Sequence, residues 1–313
     1  MRRNRAVAAK NCTLYLHFLG ECSERCDMGF LSKSTPGNGP GAHPPRDVAA
    51  LARNLLKPAL LLTGGDGLRK SRLGGLPHVP PGFVWPRFGE RPLTFLASID
   101  LAEVRAAART HQVADLDFLP AAGTLLFFYD DNNQPWGFDP ADRDACRVIY
   151  LEPSAGGLSA AAPHAGAEPL PARRVDFGKV LVAPDVQSDT VKALRLSDEE
   201  TDDYIDYTID RYPENTAHHQ MGGFPDVVQN DGMELQCELV SHGLYCGDST
   251  GYNDPRRAEL EAGAAHWRLL LQLDTDERVN MWWGDAGRIY FWVRAEEARA
   301  GNFDNVWLIL QCG

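Results

Sequence analysis

Three aspartates are candidate polar site residues, two at strand ends and one in a loop beside an aromatic pair. Asp100 closes the apolar run FLASID, Asp274 closes LLLQLD, and Asp285 lies in WWGDAG beside Trp282 and Trp283. A carboxylate at such a position can serve as general acid, general base or metal ligand. It can equally cap the next turn or helix by accepting backbone N–H groups. Gln229 and Gln272 add amide donors and acceptors, and the tryptophans add flat apolar walls. The candidate ligand-binding set is therefore Asp285, Trp282, Trp283, Gln229, Gln272, Asp100 and Asp274.

Other constellations carry less chemistry. Cys237, His242 and Cys246 have a C-x4-H-x3-C spacing that with Cys312 would offer four soft zinc ligands. The apolar ELV and GLY segments between them read instead as a strand or hairpin with buried thiols, so neither metal nor cofactor is expected. DDNNQPWGFDP, from Asp130 to Pro140, lacks the glycine and closing glutamate of a calcium loop and reads as a solvated turn anchored by Trp136. Gly-Gly-x-Pro occurs at Gly74 to Pro77 and Gly222 to Pro225 without the Gly-Lys-Ser/Thr ending of a phosphate loop, and reads as a tight turn where a strand begins. His218 and His219 could enter a pocket with Gln229 and Asn230, but polar loop residues are the default reading. G-x-S-x-G, H-E-x-x-H and a cysteine-protease segment are all missing, which argues against the common hydrolases.

The elements that must position these residues come from an ordinary globular composition. The 313 residues are 44% hydrophobic and 24% charged, enough for one large core or two modest ones. A net charge of -12 repels phosphate backbones, argues against generic nucleic-acid binding and suits a basic or small neutral partner, whether a protein or a small ligand. No apolar run approaches the ~20 residues needed to cross a bilayer, so no membrane span is expected. Seven sparse cysteines suggest reduced thiols in the cytoplasm. Residues 1–46 are expected to be a disordered or mis-annotated extension and linker, with Met28 an alternative start, and residues 47–313 the folded domain.

Strands are expected at 92–100, 123–129, 146–151, 175–182, 266–274, 288–293 and 306–312. Helices are expected from Asp47 through Lys57, from Asp100 through Thr110, from Ser197 with Glu200 as a capping box, and from Asp254 toward Glu261. Helices and strands do not alternate regularly. The fold class is therefore α+β, a mostly antiparallel sheet with peripheral helices.

Three signatures recur in one order. LGGLPHVP precedes FLASID and AGTLLFFYD; MGGFPDVV precedes LLLQLD and AGRIYFWVR. This predicts an internal repeat of two similar halves, about 57–151 and 215–313, with a cleft between them. At these residues the chain resembles the YwqG-like family of bacterial proteins, a domain of unknown function. The likeness rests on LGGLPHVPPGFVWP with FLASIDL, on QPWGFDP and CRVIYLEP, on HHQMGGFPDVVQNDGMELQCELVSHGLYCG, and on WRLLLQLDTD, MWWGDAGRIYFWV and VWLILQC. It covers about residues 57 to 313 and implies a cytoplasmic, repeat-built α+β fold with no established reaction.

The resulting expectation is a non-catalytic binding or interaction module, regulatory or immunity-like, monomeric or homodimeric. The alternative is an enzyme of unknown substrate whose carboxylates Asp285, Asp100 and Asp274 converge in the cleft between the repeats.

Overall fold

The apolar β-rich runs form strands because their branched and aromatic side chains pack on both faces of a pleated sheet. The computed structural model describes residues 46–153, 157–161, 168–209 and 211–313. The strands are β1 (Lys57–Gly64), β2 (Arg72–Leu73), β3 (His78–Val79), β4 (Arg87–Phe88), β5 (Arg91–Pro92), β6 (Thr94–Asp100), β7 (Thr124–Tyr129), β8 (Cys146–Leu151), β9 (Ser159–Ala160), β10 (Arg173–Val182), β11 (Gln220–Met221), β12 (Trp267–Asp274), β13 (Arg288–Arg294) and β14 (Trp307–Gln311). The helices are α1 (Val48–Leu55), α2 (Leu101–His111), α3 (Asp189–Lys192), α4 (Asp198–Thr208), α5 (Met233–Ser241), α6 (Arg257–Leu260) and α7 (Ala295–Arg299).

Ten strands make one antiparallel sheet in the order β14-β13-β12-β11-β1-β10-β2-β6-β7-β8. Its centre is β1 against β10, in unbroken register from Lys57 opposite Val182 to Gly64 opposite Val175. On either side lies a three-strand meander, β6-β7-β8 or β12-β13-β14. Each carries a bulge, at Leu96 in β6 and at Leu270 in β12.

The sheet curls until its two wings meet. Phe127 of β7 lies edge-to-face on Phe291 of β13 with centroids 5.1 Å apart, and Tyr129 meets Trp283 at 5.9 Å. Leu60, Leu62, Leu96, Ile99, Leu271 and Leu273 fill the enclosed core, and Leu101 and Val104 of α2 pack into it. Outside, α5 covers Trp267, Tyr290 and Trp292, while Phe83 and Trp85 cover Phe95 and Phe128. Helix α1 packs on α4.

The segment between β7 and β8 spans the remaining gap between the sheet's edges. Leu310 N donates to Trp136 O at 3.0 Å, Trp307 Nε1 to Gly137 O at 2.7 Å, and Arg143 Nη2 to Asn305 Oδ1 at 2.6 Å. The expected solvated turn is thus a structural bridge. Its Asp130 is buried and takes Arg91 Nη2 at 2.8 Å and Asn133 Nδ2 at 2.7 Å.

Asp47 caps the first helix as expected, but the helix stops at Leu55 and Lys57 opens a strand. Leu60 and Leu62 face the core while Ala59 and Leu61 pack outward, so a continuous apolar run hides the alternation that marks a half-exposed strand. The Cys237 to Cys246 region also differs, because Met233–Ser241 is a helix. Its thiols are buried as expected, and no three His, Cys, Asp or Glu side chains among the described residues gather as a metal site. The Asp254 helix shrinks to Arg257–Leu260 followed by a 3-10 turn, whereas the Ser197–Glu200 capping box is present.

The expected N-terminal extension and linker lie outside the described residues except for Arg46. Among the described residues no helix is long and apolar enough to cross a membrane.

Gly74 and Gly75 take positive φ of 60° and 75°, and Gly222 and Gly223 take 67° and 70°. In the first turn both amides are spent, Gly74 N on Leu96 O at 2.7 Å and Gly75 N on Leu170 O at 2.8 Å, so they cannot cradle an anion. Gly137 has φ of 79°, and a Cβ there would overlap the Leu308 carbonyl. Gly137→Ala is expected to destabilise the protein by at least about 3 kcal/mol, combining backbone strain with displacement of the bridge. Gly82→Ala, at φ of 78° with open space around it, should cost only about 1 kcal/mol. Urea denaturation of the two variants checks this ranking.

Candidate functional site

The polar residues of the second wing form two systems that meet at Asp274. The inner one lines a cavity of about 160 Å³ where the ends of β1, β2 and β10 approach the segments flanking β11 and β12. Its polar walls are Thr63, Arg173, Thr216, His219, Asp276 and Arg278.

His219 is buried, and its two ring nitrogens are both engaged. Asp274 N donates to Nδ1 at 3.0 Å, which places the ring proton on Nε2, 3.2 Å from Asp276 Oδ2. The buried Asp276 carboxylate also accepts from Arg278 N at 3.0 Å, Nε at 2.7 Å and Nη2 at 3.0 Å. Burial alone would raise its pKa, but the hydrogen bonds from His219 and Arg278 outweigh burial and hold it well below the usual carboxylate range.

Across the cavity the half-buried Arg173 guanidinium has no hydrogen-bond or carboxylate partner among the described residues. Gly64 makes room for it: a Cβ there would lie 2.6 Å from Nη2.

The outer system is denser. Arg288 bridges Asp226 Oδ2 at 3.0 Å and Asp274 Oδ1 at 3.1 Å, and these two carboxylates outweigh the effect of burial and raise its pKa. His218 donates its backbone N–H to Asp274 Oδ2 at 2.8 Å and pairs Nδ1 with Asp226 Oδ2. Nδ1 faces both the Asp226 carboxylate, an acceptor, and Arg288 Nη2, a donor, at 3.1 Å, while Nε2 has no partner among the described residues. Tyr212 stacks on the imidazole at 3.8 Å with an interplanar angle of 9°. Gln272 fixes the backbone beneath, accepting from Asp226 N at 2.9 Å and donating to His218 O at 2.6 Å. An imidazole oriented by a carboxylate with its other nitrogen open is the arrangement of a general base.

Of the residues singled out in the sequence, only Gln272 and Asp274 join this network. Trp283 is buried in the core, with Nε1 donating to Asp274 O at 3.1 Å, whereas Trp282 remains 46% exposed. Gln229 Nε2 donates to Cys312 O at 2.8 Å, tying down the C-terminal segment. Asp100 caps α2 by accepting from Glu103 N at 3.0 Å and pairs with Lys70 at 3.5 Å. Asp285 is exposed, and its backbone carbonyl takes Gly313 N at 3.0 Å. Asp100, Asp274 and Asp285 share no partner among the described residues: Asp100 caps its own helix, Asp274 receives His218 N and Arg288, and Asp285 stands exposed.

The residues that do converge went unassigned in the sequence. His219 read as a loop residue by default, with entry into a pocket beside Gln229 and Asn230 as the alternative, and Asp276, Arg278 and Arg173 bore no motif. The one signal available was the second acidic residue of LDTDER, two positions past a strand end.

An antiparallel sheet curled into a nearly closed barrel, with a polar cavity at its mouth, defines the class of this protein. The family model described as "Domain of unknown function (DUF1963)" matches residues 71–312, and the chain belongs to that family. No curated protein matches it.

Asp276→Asn is expected to cost about 2–4 kcal/mol, because it removes the charge that pairs Arg278 and receives the buried His219 proton. A carboxyl held low in the folded state contributes stability that is present above its unfolded pKa of about 4 and lost as the pH falls below it. Urea titrations from pH 7 to pH 2 should show that acid-side loss in the parent protein and little of it in the variant.

Burial pushes the Glu234 carboxyl on α5 the other way, up to about 7. The unfolded chain then deprotonates first, so this group lowers stability as the pH rises from about 4.5 to about 7. Glu234→Gln should be more stable than the parent at pH 8 and indistinguishable from it at pH 4, as read by thermal denaturation.

Proposed function

We propose that the protein is a non-catalytic binding module built from two related halves, holding a small ligand in the cavity where the halves meet. The observation that carries this reading is the state of His219. Both its nitrogens are engaged, so the cavity has fixed polar walls and an unengaged guanidinium but no free base beside it. Binding sites use few, well-placed polar groups of this kind.

The relation between halves draws support from matching details. Ser71 Oγ accepts Asp100 N at 3.0 Å, just as His219 Nδ1 accepts Asp274 N at 3.0 Å. Each of those aspartates ends a strand bulged at a buried leucine, and each half opens with a positive-φ glycine pair. The counterpart rings Phe127 and Phe291 touch one another, as residues on a pseudo-two-fold axis would. On this reading the halves have diverged at the cavity, where one keeps serine and the other histidine. The resemblance to YwqG-like proteins fits the same picture. The buried free thiols of Cys146, Cys237 and Cys246 fit a reducing cytoplasm.

A second reading, an enzyme, is favoured by the outer system alone, where Asp226 and Arg288 hold His218 Nδ1 and Nε2 has no partner among the described residues. It would use His218 as base in place of the three separated carboxylates.

A thermal-shift screen against metals, nucleotides, sugars and small metabolites tests both. A ligand at a hundred times its Kd should add about 2.7 kcal/mol of stability. The binding reading expects a hit abolished by Thr216→Phe, which fills the cavity, and unchanged by His218→Ala. Turnover of a hit that His218→Ala abolishes would instead establish the enzyme.

A further inference from the structure

We infer that the mouth cavity selects a small monoanionic organic acid, with its carboxylate on Arg173. This rests on the reading that the cavity is the ligand site, and it adds the charge and class of the ligand.

The first ground is an unmatched charge. Arginines elsewhere around the two polar systems are committed: Arg278 to Asp276, Arg288 to Asp226 and Asp274, Arg294 to Glu238. On the neighbouring strand positions Arg174 donates to Lys70 O at 3.0 Å and Arg72 to Leu76 O. Arg173 alone among these has no partner among the described residues, in a chain of net charge -12 where carboxylates are plentiful. A half-buried guanidinium has lost part of its hydration without receiving an acceptor in return, so an acceptor supplied by a ligand meets no competitor.

The second ground is the room reserved for it. A side chain at Gly64 would press on Nη2, and Gly64 has an ordinary φ that alanine can adopt, so backbone geometry does not require glycine there. Its absent Cβ leaves the guanidinium free to lie along the end of β1.

The third ground is the charge balance. Arg173 and Arg278 bring two positive charges to the wall and Asp276 one negative, leaving one positive charge to be matched. A monoanion matches it. A phosphate dianion would bring a surplus negative charge toward Asp276, which is ionised well below neutral pH. The planar guanidinium fork fits a carboxylate through two parallel hydrogen bonds; the Thr63 hydroxyl can donate to or accept from the remainder of a short acid, and Thr216 Oγ1, which donates to Glu214 O at 3.4 Å, can accept from it. A volume of about 160 Å³ restricts that remainder to a few heavy atoms.

The test uses glycolate, its neutral counterpart glycolamide, and inorganic phosphate as probes of the full chain. Amide shifts of Thr63, Thr216 and His219 are followed by NMR. Glycolate is expected to move these amides saturably, with glycolamide and phosphate at least tenfold weaker. Arg173→Gln should bring glycolate down to the level of glycolamide with thermal stability unchanged. Gly64→Ala, which keeps the charge but displaces the guanidinium, should weaken glycolate several-fold. Equal binding of glycolate and glycolamide, or an Arg173→Gln variant that binds glycolate as well as the parent, overturns the charge assignment and leaves the cavity reading standing. Tighter binding of phosphate overturns the monoanion selection. If none of the three probes moves a cavity amide, both readings fall.

Discussion

The pairing of β1 with β10 is the constraint on which the rest of the structure depends. Its eight register pairs join segments more than a hundred residues apart and set the two meanders on either side of one sheet. The cost of closing so long a loop grows only logarithmically with its length, but it must be met before the pairing stabilises anything. The pair meets it by burying both faces. Leu60 and Leu62 enter the enclosed core, while Ala59, Leu61, Val180 and Val182 form a second layer under Tyr212 and Phe224. The same register brings Thr63 and Gly64 beside Arg173 and Val175, so the strand pair at the centre of the sheet also builds the mouth of the cavity.

Asp274 links this cavity to everything outside it. Its N–H sets the tautomer of His219, its carboxylate receives His218 N and Arg288, and its carbonyl receives Trp283 Nε1 from the core. One residue therefore registers the cavity wall, the outer ion network and the hydrophobic interior against one another. Taking so many charges partly out of water is costly, and breaking any single pair would leave an uncompensated buried charge. The arrangement is rigid because each member has its partners. Among the described residues the Arg173 guanidinium and His218 Nε2 are left without a partner.

Much of the fold was legible in the chain. The runs around FLASID, LLFFY, CRVIYL, LLLQLD and IYFWV declare strands because branched and aromatic residues cluster between turn residues. Asp47, Asp100 and Ser197 cap helices through contacts only three residues long. β1 escaped because burial on both faces erases alternation. The α5 segment escaped because its apolar residues are too many and its start, at Gly232, has no side-chain cap.

The candidate site was legible only in part, and the division follows the range of the interactions. The sequence by itself determined that the branched and aromatic runs are extended, that helices start at Asp47 and Ser197, and that the two Gly-Gly-x-Pro segments are tight turns. These depend on neighbours a few residues away. Only the tertiary structure decided that Trp283 enters the core while Trp282 faces out, that Asp100 and Asp285 serve separate turns, and that His219 meets Asp276 across from Arg173. Those meetings join residues tens to more than a hundred positions apart. They depend on strand register, where a shift of one residue would turn each side chain to the opposite face.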